Sequence, residues 1–173
     1  LKVFLAVLLA SLSLHVHPSE IDSLLRELDM SIRNRPQYTL KRQEQIDALQ
    51  RKLRLSHSDQ ERYDLYRELF GKYRSYRMDS ALWVANQRVE LAKRMKNPLY
   101  IRSAELNIAE VMIGVAMYKE GLEILDGIKS ADLDASGVSY YYYQYHQVYT
   151  LMADYAFSDQ MKEHYRGLAY QYK

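Results

Sequence analysis

A step of 40 residues organises most of this chain. It carries Leu69 to Ala109 and Tyr149, Tyr76 to Ala116 and Ala156, Ala81 to Gly121 and Met161, and Ala85 to Leu125 and Tyr165. Within each block the apolar residues recur at spacings of three and four, the period of an α-helix. The positions of Tyr76, Ala116 and Ala156 fall between two such stretches, so each block reads as two helices joined by a short turn. A lone helical hairpin cannot bury both of its faces, and copies at a fixed period therefore stack into a solenoid. Only 6 Gly and 3 Pro are present, too few to punctuate a many-stranded sheet, whereas helix-favouring Leu, Ala, Glu, Gln, Lys, Arg and Met are plentiful. The predicted fold class is all-α.

Local signals place the boundaries. Ser58 and Glu61 form an S-x-x-E capping box ahead of Tyr63, Tyr66, Leu69, Phe70 and Tyr73. A second helix is expected from about Asp79 to Met95, with Ala81, Leu82, Ala85, Val89 and Ala92 inward, and Asn97-Pro98 ends it and starts the next. Residues 98–115 and 118–128 give a further pair, and 138–155 and 158–172 the last. The three pairs thus cover approximately 58–97, 98–137 and 138–173. Ahead of them, residues 18–57 read as an N-terminal helical hairpin. Ser19 and Asp22 resemble a capping box, and Ile21, Leu24, Leu25, Leu28 and Ile32 form one stripe. Pro36 breaks the pattern before the thinner stripe of Ile46, Leu49 and Leu53. Residues 1–17 run apolar on every face through "LKVFLAVLLASLSL", the form of a signal-peptide core too short for a comfortable membrane span.

Chemistry-bearing motifs are sparse. The chain has no cysteine, and no H-E-x-x-H, G-x-S-x-G or Gly-rich phosphate loop. His15-x-His17 has no further ligand nearby, and Asp132 and Asp134 sit among turn formers where solvation accounts for them. Seven Lys or Arg between Arg33 and Arg54 are spread round a helix, and the net charge is only +2. That is a solvated face rather than a nucleic-acid platform. The expectation is a non-enzymatic chain with no cofactor and no metal.

The middle block, "AELNIAEVMIGVAMYKEGLEILDGI", resembles a tetratricopeptide repeat. Ile108-Ala109 stands where that family has Leu-Gly, Met112 where it has Tyr, and Gly121 with Leu125 where its second helix has Ala and an aromatic. All three blocks run about six residues longer than the usual ~34. The span from Ile21 onward also resembles the sensor region of membrane-tethered transcriptional regulators of the Bacteroidota. In those proteins an exported tetratricopeptide-like region precedes a transmembrane helix, a coiled coil and a DNA-binding segment. The resemblance implies a right-handed solenoid, a periplasmic location, attachment to the membrane only through segments outside this chain, and no direct contact with nucleic acid.

It also implies a groove lined by the first helix of each pair, which binds a protein or peptide segment. Carried over, the facing positions are Tyr63, Tyr66, Phe70 and Tyr73 in the first pair. Ser103, Leu106, Glu110 and Ile113 follow in the second, and Tyr143, His146 and Thr150 in the third. Tyrosine, with 17 copies, suits such a surface because it combines contact area with a hydroxyl. The run "SYYYYQYHQVYT" cannot lie on one stripe, since a helix turns about 100° per residue. Tyr141 or Tyr142 is expected to pack and Tyr143 to face the groove, with Tyr145, Tyr149 and Tyr165 between helices. Two alternatives are a homo-oligomerisation or scaffold module of an exported assembly, such as a homodimer formed through the leading hairpin and the Tyr-rich faces, and a small-molecule sensor built on His146 and His164.

Overall fold

The computed structural model describes residues 18–173, so the signal-peptide-like segment, His15 and His17 lie outside the described residues. Among the described residues seven α-helices follow one another and there is no strand. Helix α1 spans Pro18–Leu55, α2 Asp59–Tyr73, α3 Met78–Arg94, α4 Pro98–Gly114, α5 Tyr118–Asp126, α6 Ala135–Asp154 and α7 Asp159–Tyr170. A single 3-10 turn, Ser130–Asp132, interrupts the link between α5 and α6.

The hairpin expected over 18–57 is not formed, because Pro36 lies inside the one continuous helix α1. A proline ring already holds φ at a helical value and forfeits a single backbone donor. Reversing the chain would require a break in the helical backbone, and α1 contains none between Pro18 and Leu55. The surrounding helix formers therefore carry the helix through. Contacts divide the chain into two compact units, 1–44 and Gln45–Lys173. In the described part of the first, every residue from Glu20 to Lys41 is exposed, the stripe Ile21, Leu24, Leu25, Leu28 and Ile32 included.

In the second unit each helix from α2 onward packs on its successor, and α6 also touches α4. That is the contact pattern of stacked pairs. Ser58 caps α2, its hydroxyl accepting from the Glu61 backbone N–H at 3.4 Å. The Glu61 carboxylate turns to the Ser56 hydroxyl at 2.6 Å and leaves the reciprocal half of the capping box unmade. Asn97, with Pro98 behind it, caps α4 through the Tyr100 N–H at 3.2 Å. Asp134 caps α6 and Ser158 caps α7.

Helices α3 and α4 both stop through a left-handed residue that is not glycine, Lys96 at φ 52° and Ala116 at φ 63°. In each case the next N–H reaches back to the carbonyl five residues earlier, Asn97 to Ala92 and Met117 to Met112, as in a Schellman ending.

Two apolar clusters form the core. The first joins Ile46 and Leu49 of α1 to Tyr63, Leu69 and Phe70 of α2, to Ala81, Val84 and Ala85 of α3, and to Ala104 and Val111 of α4. The second joins Leu106, Ala109 and Ile113 of α4 to Leu125, Ile128, Tyr145 and Val148. Small residues set the helix spacing: Ala81, Ala85 and Ala92 are fully covered. A Cβ at Gly121 would lie 2.8 Å from Ile113 Cγ1, so α5 meets α4 closely there.

Candidate functional site

The first helices of the three pairs converge on one groove of about 490 Å³. From α2 come Tyr63, Asp64, Arg67, Phe70 and Gly71, with Arg74 at its C-cap; from α4, Tyr100, Ser103, Leu106 and Asn107; from the start of α6, Ser136, Gly137 and Tyr140. The amphipathic spacing of α2 alone places Tyr63, Arg67, Phe70 and Arg74 on one side, since positions three and four apart share a helix face. Arg88 reaches the groove from α3, the second helix of its pair.

The walls are tied across pairs. The Tyr63 and Tyr100 rings stack with centroids 4.5 Å apart, and the Tyr63 hydroxyl donates to the Tyr100 carbonyl at 2.9 Å. Arg74 pairs with Glu110 at 3.0 Å, and the Tyr140 hydroxyl donates to the other oxygen of the same carboxylate. Burial first, and then the Glu110 charge, pushes the Tyr140 phenol far above its ordinary value, so it stays a donor. Burial likewise raises Tyr63. The Asp134 carboxyl is held below the usual range by the Gly137 backbone N–H and then by the Ser136 hydroxyl. At the α4/α6 crossing, the Gln144 amide donates to the Leu106 carbonyl at 3.0 Å while its Oε1 stays unpartnered.

Of the residues expected to face this groove, Tyr63, Phe70, Ser103 and Leu106 line it, and Glu110 braces it through Arg74 and Tyr140. The others lie elsewhere. Tyr66 meets the Trp83 ring edge-on at 5.8 Å. Tyr73 accepts from Gln50 Nε2 at 3.0 Å and faces a second cavity of about 480 Å³. Ile113 is buried in the second core cluster. Tyr143 is 56% exposed and outside the groove. His146 Nδ1 lies 2.9 Å from the Ala169 carbonyl on α7, Thr150 donates back to the His146 carbonyl, and His164 is exposed.

The tyrosine run resolves by helix face. Tyr140 enters the groove. Tyr141 packs on Tyr145 and donates to the Ile128 carbonyl, and Tyr142 stacks on Tyr172. Tyr140 takes the place expected of Tyr143 because a strict 40-residue step from Pro98 would open α6 at Val138, whereas it opens at Ala135 behind the Asp134 cap. Arg88 was missed for its charge. Its spacing was the available signal, since it falls three residues after Ala85 and four before Ala92, on the core face of α3.

A match to the family described as the SusR N-terminal TPR domain extends over residues 32–173. The chain belongs to that family. Comparison with curated proteins and with solved structures finds no match. As a TPR domain of the SusR type, the chain is of a class that generally mediates protein–protein interaction and is generally non-catalytic. Its groove offers what such a role uses, aromatic faces beside fixed donors and acceptors.

Proposed function

We propose that this TPR domain is the sensor region of a membrane-tethered transcriptional regulator, exported across the inner membrane, and that it binds a protein or peptide segment in the groove of α2, α4 and α6. The observation that carries the reading is the convergence of three successive first helices on one concavity. Its walls are held by contacts across pairs, Tyr63 on Tyr100 and Arg74 on Glu110. A wall fixed before the ligand arrives loses little conformational freedom on binding. Ligand would then tilt the stacked pairs, and the tilt would pass to segments beyond the sensor.

The test is capture from a displayed peptide library by the 173-residue chain, repeated with Arg67→Ala, Ser103→Ala and Tyr140→Phe together. These changes keep the apolar core and remove groove polarity. Unchanged capture would refute the groove. For the location, an alkaline phosphatase fusion after Lys173 in the native host should be active; an inactive fusion of normal abundance contradicts export.

The bare stripe of α1 favours a second reading, self-association of the leading helix. Its first turns, up to Asp29, carry Glu20, Asp22, Glu27 and Asp29 against Arg26, and its next stretch carries Arg33, Arg35, Lys41 and Arg42 with no acid before Glu44. An antiparallel second copy would set opposite charges together. Sedimentation decides this, since a monomer at every concentration excludes it.

A further inference from the structure

Arg88 is a charge that the fold covers and does not neutralise. Only 2% of it is exposed. Its Nη1 donates to the Asn107 carboxamide oxygen, its guanidinium carbon lies 4.4 Å from the centre of the Tyr63 ring, and its Nε has no hydrogen-bond partner. Among the described residues no carboxylate lies within ion-pair distance of it. Arginine does not lose its proton in a protein, so the cation persists. A buried ion normally keeps a countercharge, because desolvating it alone is costly. Here one neutral amide and one aromatic face stand in for that countercharge.

The other cations of the groove are already matched. Arg67 pairs with Asp64 at 3.3 Å and Arg74 with Glu110 at 3.0 Å. The remaining groove carboxylate, Asp134, spends an oxygen on the Gly137 N–H and the Ser136 hydroxyl at the α6 cap. Arg88 is thus the groove cation without an ion-pair partner, on a wall it shares with Asn107, and the Asp64 carboxylate attracts it only from beyond ion-pair distance.

We propose that the groove takes a ligand carboxylate onto Arg88, the carboxylate replacing Asn107 Oδ1 as acceptor at the Nη1/Nη2 end of the guanidinium. The ligand class is a peptide that bears a free carboxylate, either at its C-terminus or on an Asp or Glu side chain. The guanidinium fork matches two carboxylate oxygens at once, which a neutral amide cannot do. Asn107, once released, can bond the adjacent peptide backbone. The inference rests on the reading of the groove as a peptide site and narrows it to acidic ligands.

The experiment takes peptides captured by the 173-residue chain and remakes each in three forms: C-terminal amide, Asp/Glu→Asn/Gln, and both. Neutralising one particular carboxylate should weaken binding about tenfold or more, the effect of a hydrogen-bonded charge. The two single forms tell a C-terminal source from a side-chain source. Arg88→Gln should bind the charged and neutral forms alike, and Arg88→Lys should restore part of the difference. Should Arg88→Gln fail to fold by circular dichroism, the neutralised peptides decide alone on the unaltered protein. Equal binding of all forms, still abolished by the triple groove substitution, overturns the carboxylate and leaves the peptide groove standing. Failure to capture any peptide overturns both.

Discussion

Tyrosine is used in opposite ways by the first helix pair and the last. In the first, Tyr63, Tyr66 and Tyr73 are 2, 5 and 7% exposed, and each ring fits a different neighbour, Tyr100, Trp83 and the α1 surface near Gln50. In the last, the rings fit one another. Tyr172 lies 4.6 Å from Tyr145, 6.0 Å from Tyr149 and 6.1 Å from Tyr142, while Tyr141 meets Tyr145 edge-on at 5.0 Å. The difference follows from the second helix of each pair. Helix α3 presents Ala81, Ala85 and Ala92, which let α2 approach until its rings are enclosed. Helix α7 has Met161, 39% exposed, in place of Ala81, and buries only Ala169. Tyr145 is buried at the centre of this stack, whereas the rings around it, Tyr141, Tyr142, Tyr149 and Tyr172, stack on it and on each other and leave their edges to water.

The strongest test of that contrast is a pair of deletions. Tyr63→Ala removes an enclosed ring and should cost about 3–5 kcal/mol, as for other buried aromatics. Tyr149→Ala removes a half-buried one and should cost clearly less. Urea denaturation compares them, and equal losses would dissolve the distinction. The role of close approach is sharpened in the middle pair. Gly121→Val brings branched carbon against Ile113, which a Cβ would already meet at 2.8 Å, and should cost about 1–3 kcal/mol in the same assay.

Alkali separates the two ends chemically. Burial raises the phenols of Tyr145, Tyr149 and Tyr172 in the last stack, helped at Tyr145 by its hydrogen bond to Asp126. The unfolded chain loses those protons from about pH 10, whereas the folded chain keeps them. Their contribution is therefore complete below about pH 10 and falls as pH rises further, since the folded state then holds more protons than the unfolded one. Hydrogen exchange should show α6 and α7 opening before α2 and α3 above that pH, with Tyr145→Phe weakening the dependence. Simultaneous opening would count against it. The smallest effect belongs to Tyr143→Ala, whose 56% exposed ring should change stability by no more than about 0.5 kcal/mol.

The three pairs were legible because each of their signals is local. Ser58 and Asn97-Pro98 mark helix starts within a turn, and the stripe of Tyr63, Leu69 and Phe70 belongs to one helix. The leading hairpin was misread because Pro36 alone cannot reverse a chain, and a sequence does not show whether a proline's missing donor is tolerated. The site was half legible for a related reason. Tyr63, Phe70 and Leu106 follow from helix faces, whereas Tyr140 depends on where α6 starts after an irregular link, and Arg88 on which partners a core-facing charge finds. Those are matters of tertiary register, which no single helix encodes.

Helix α4 is common property. Ala104 and Val111 complete the apolar cluster on one side of it, while Leu106, Ala109 and Ile113 begin the cluster on the other. A proteolytic nick between Pro98 and Gly114 would strip a lining from both at once, so neither product should survive by itself. Either end can open locally by itself, but damage to this shared partition reaches both ends at once.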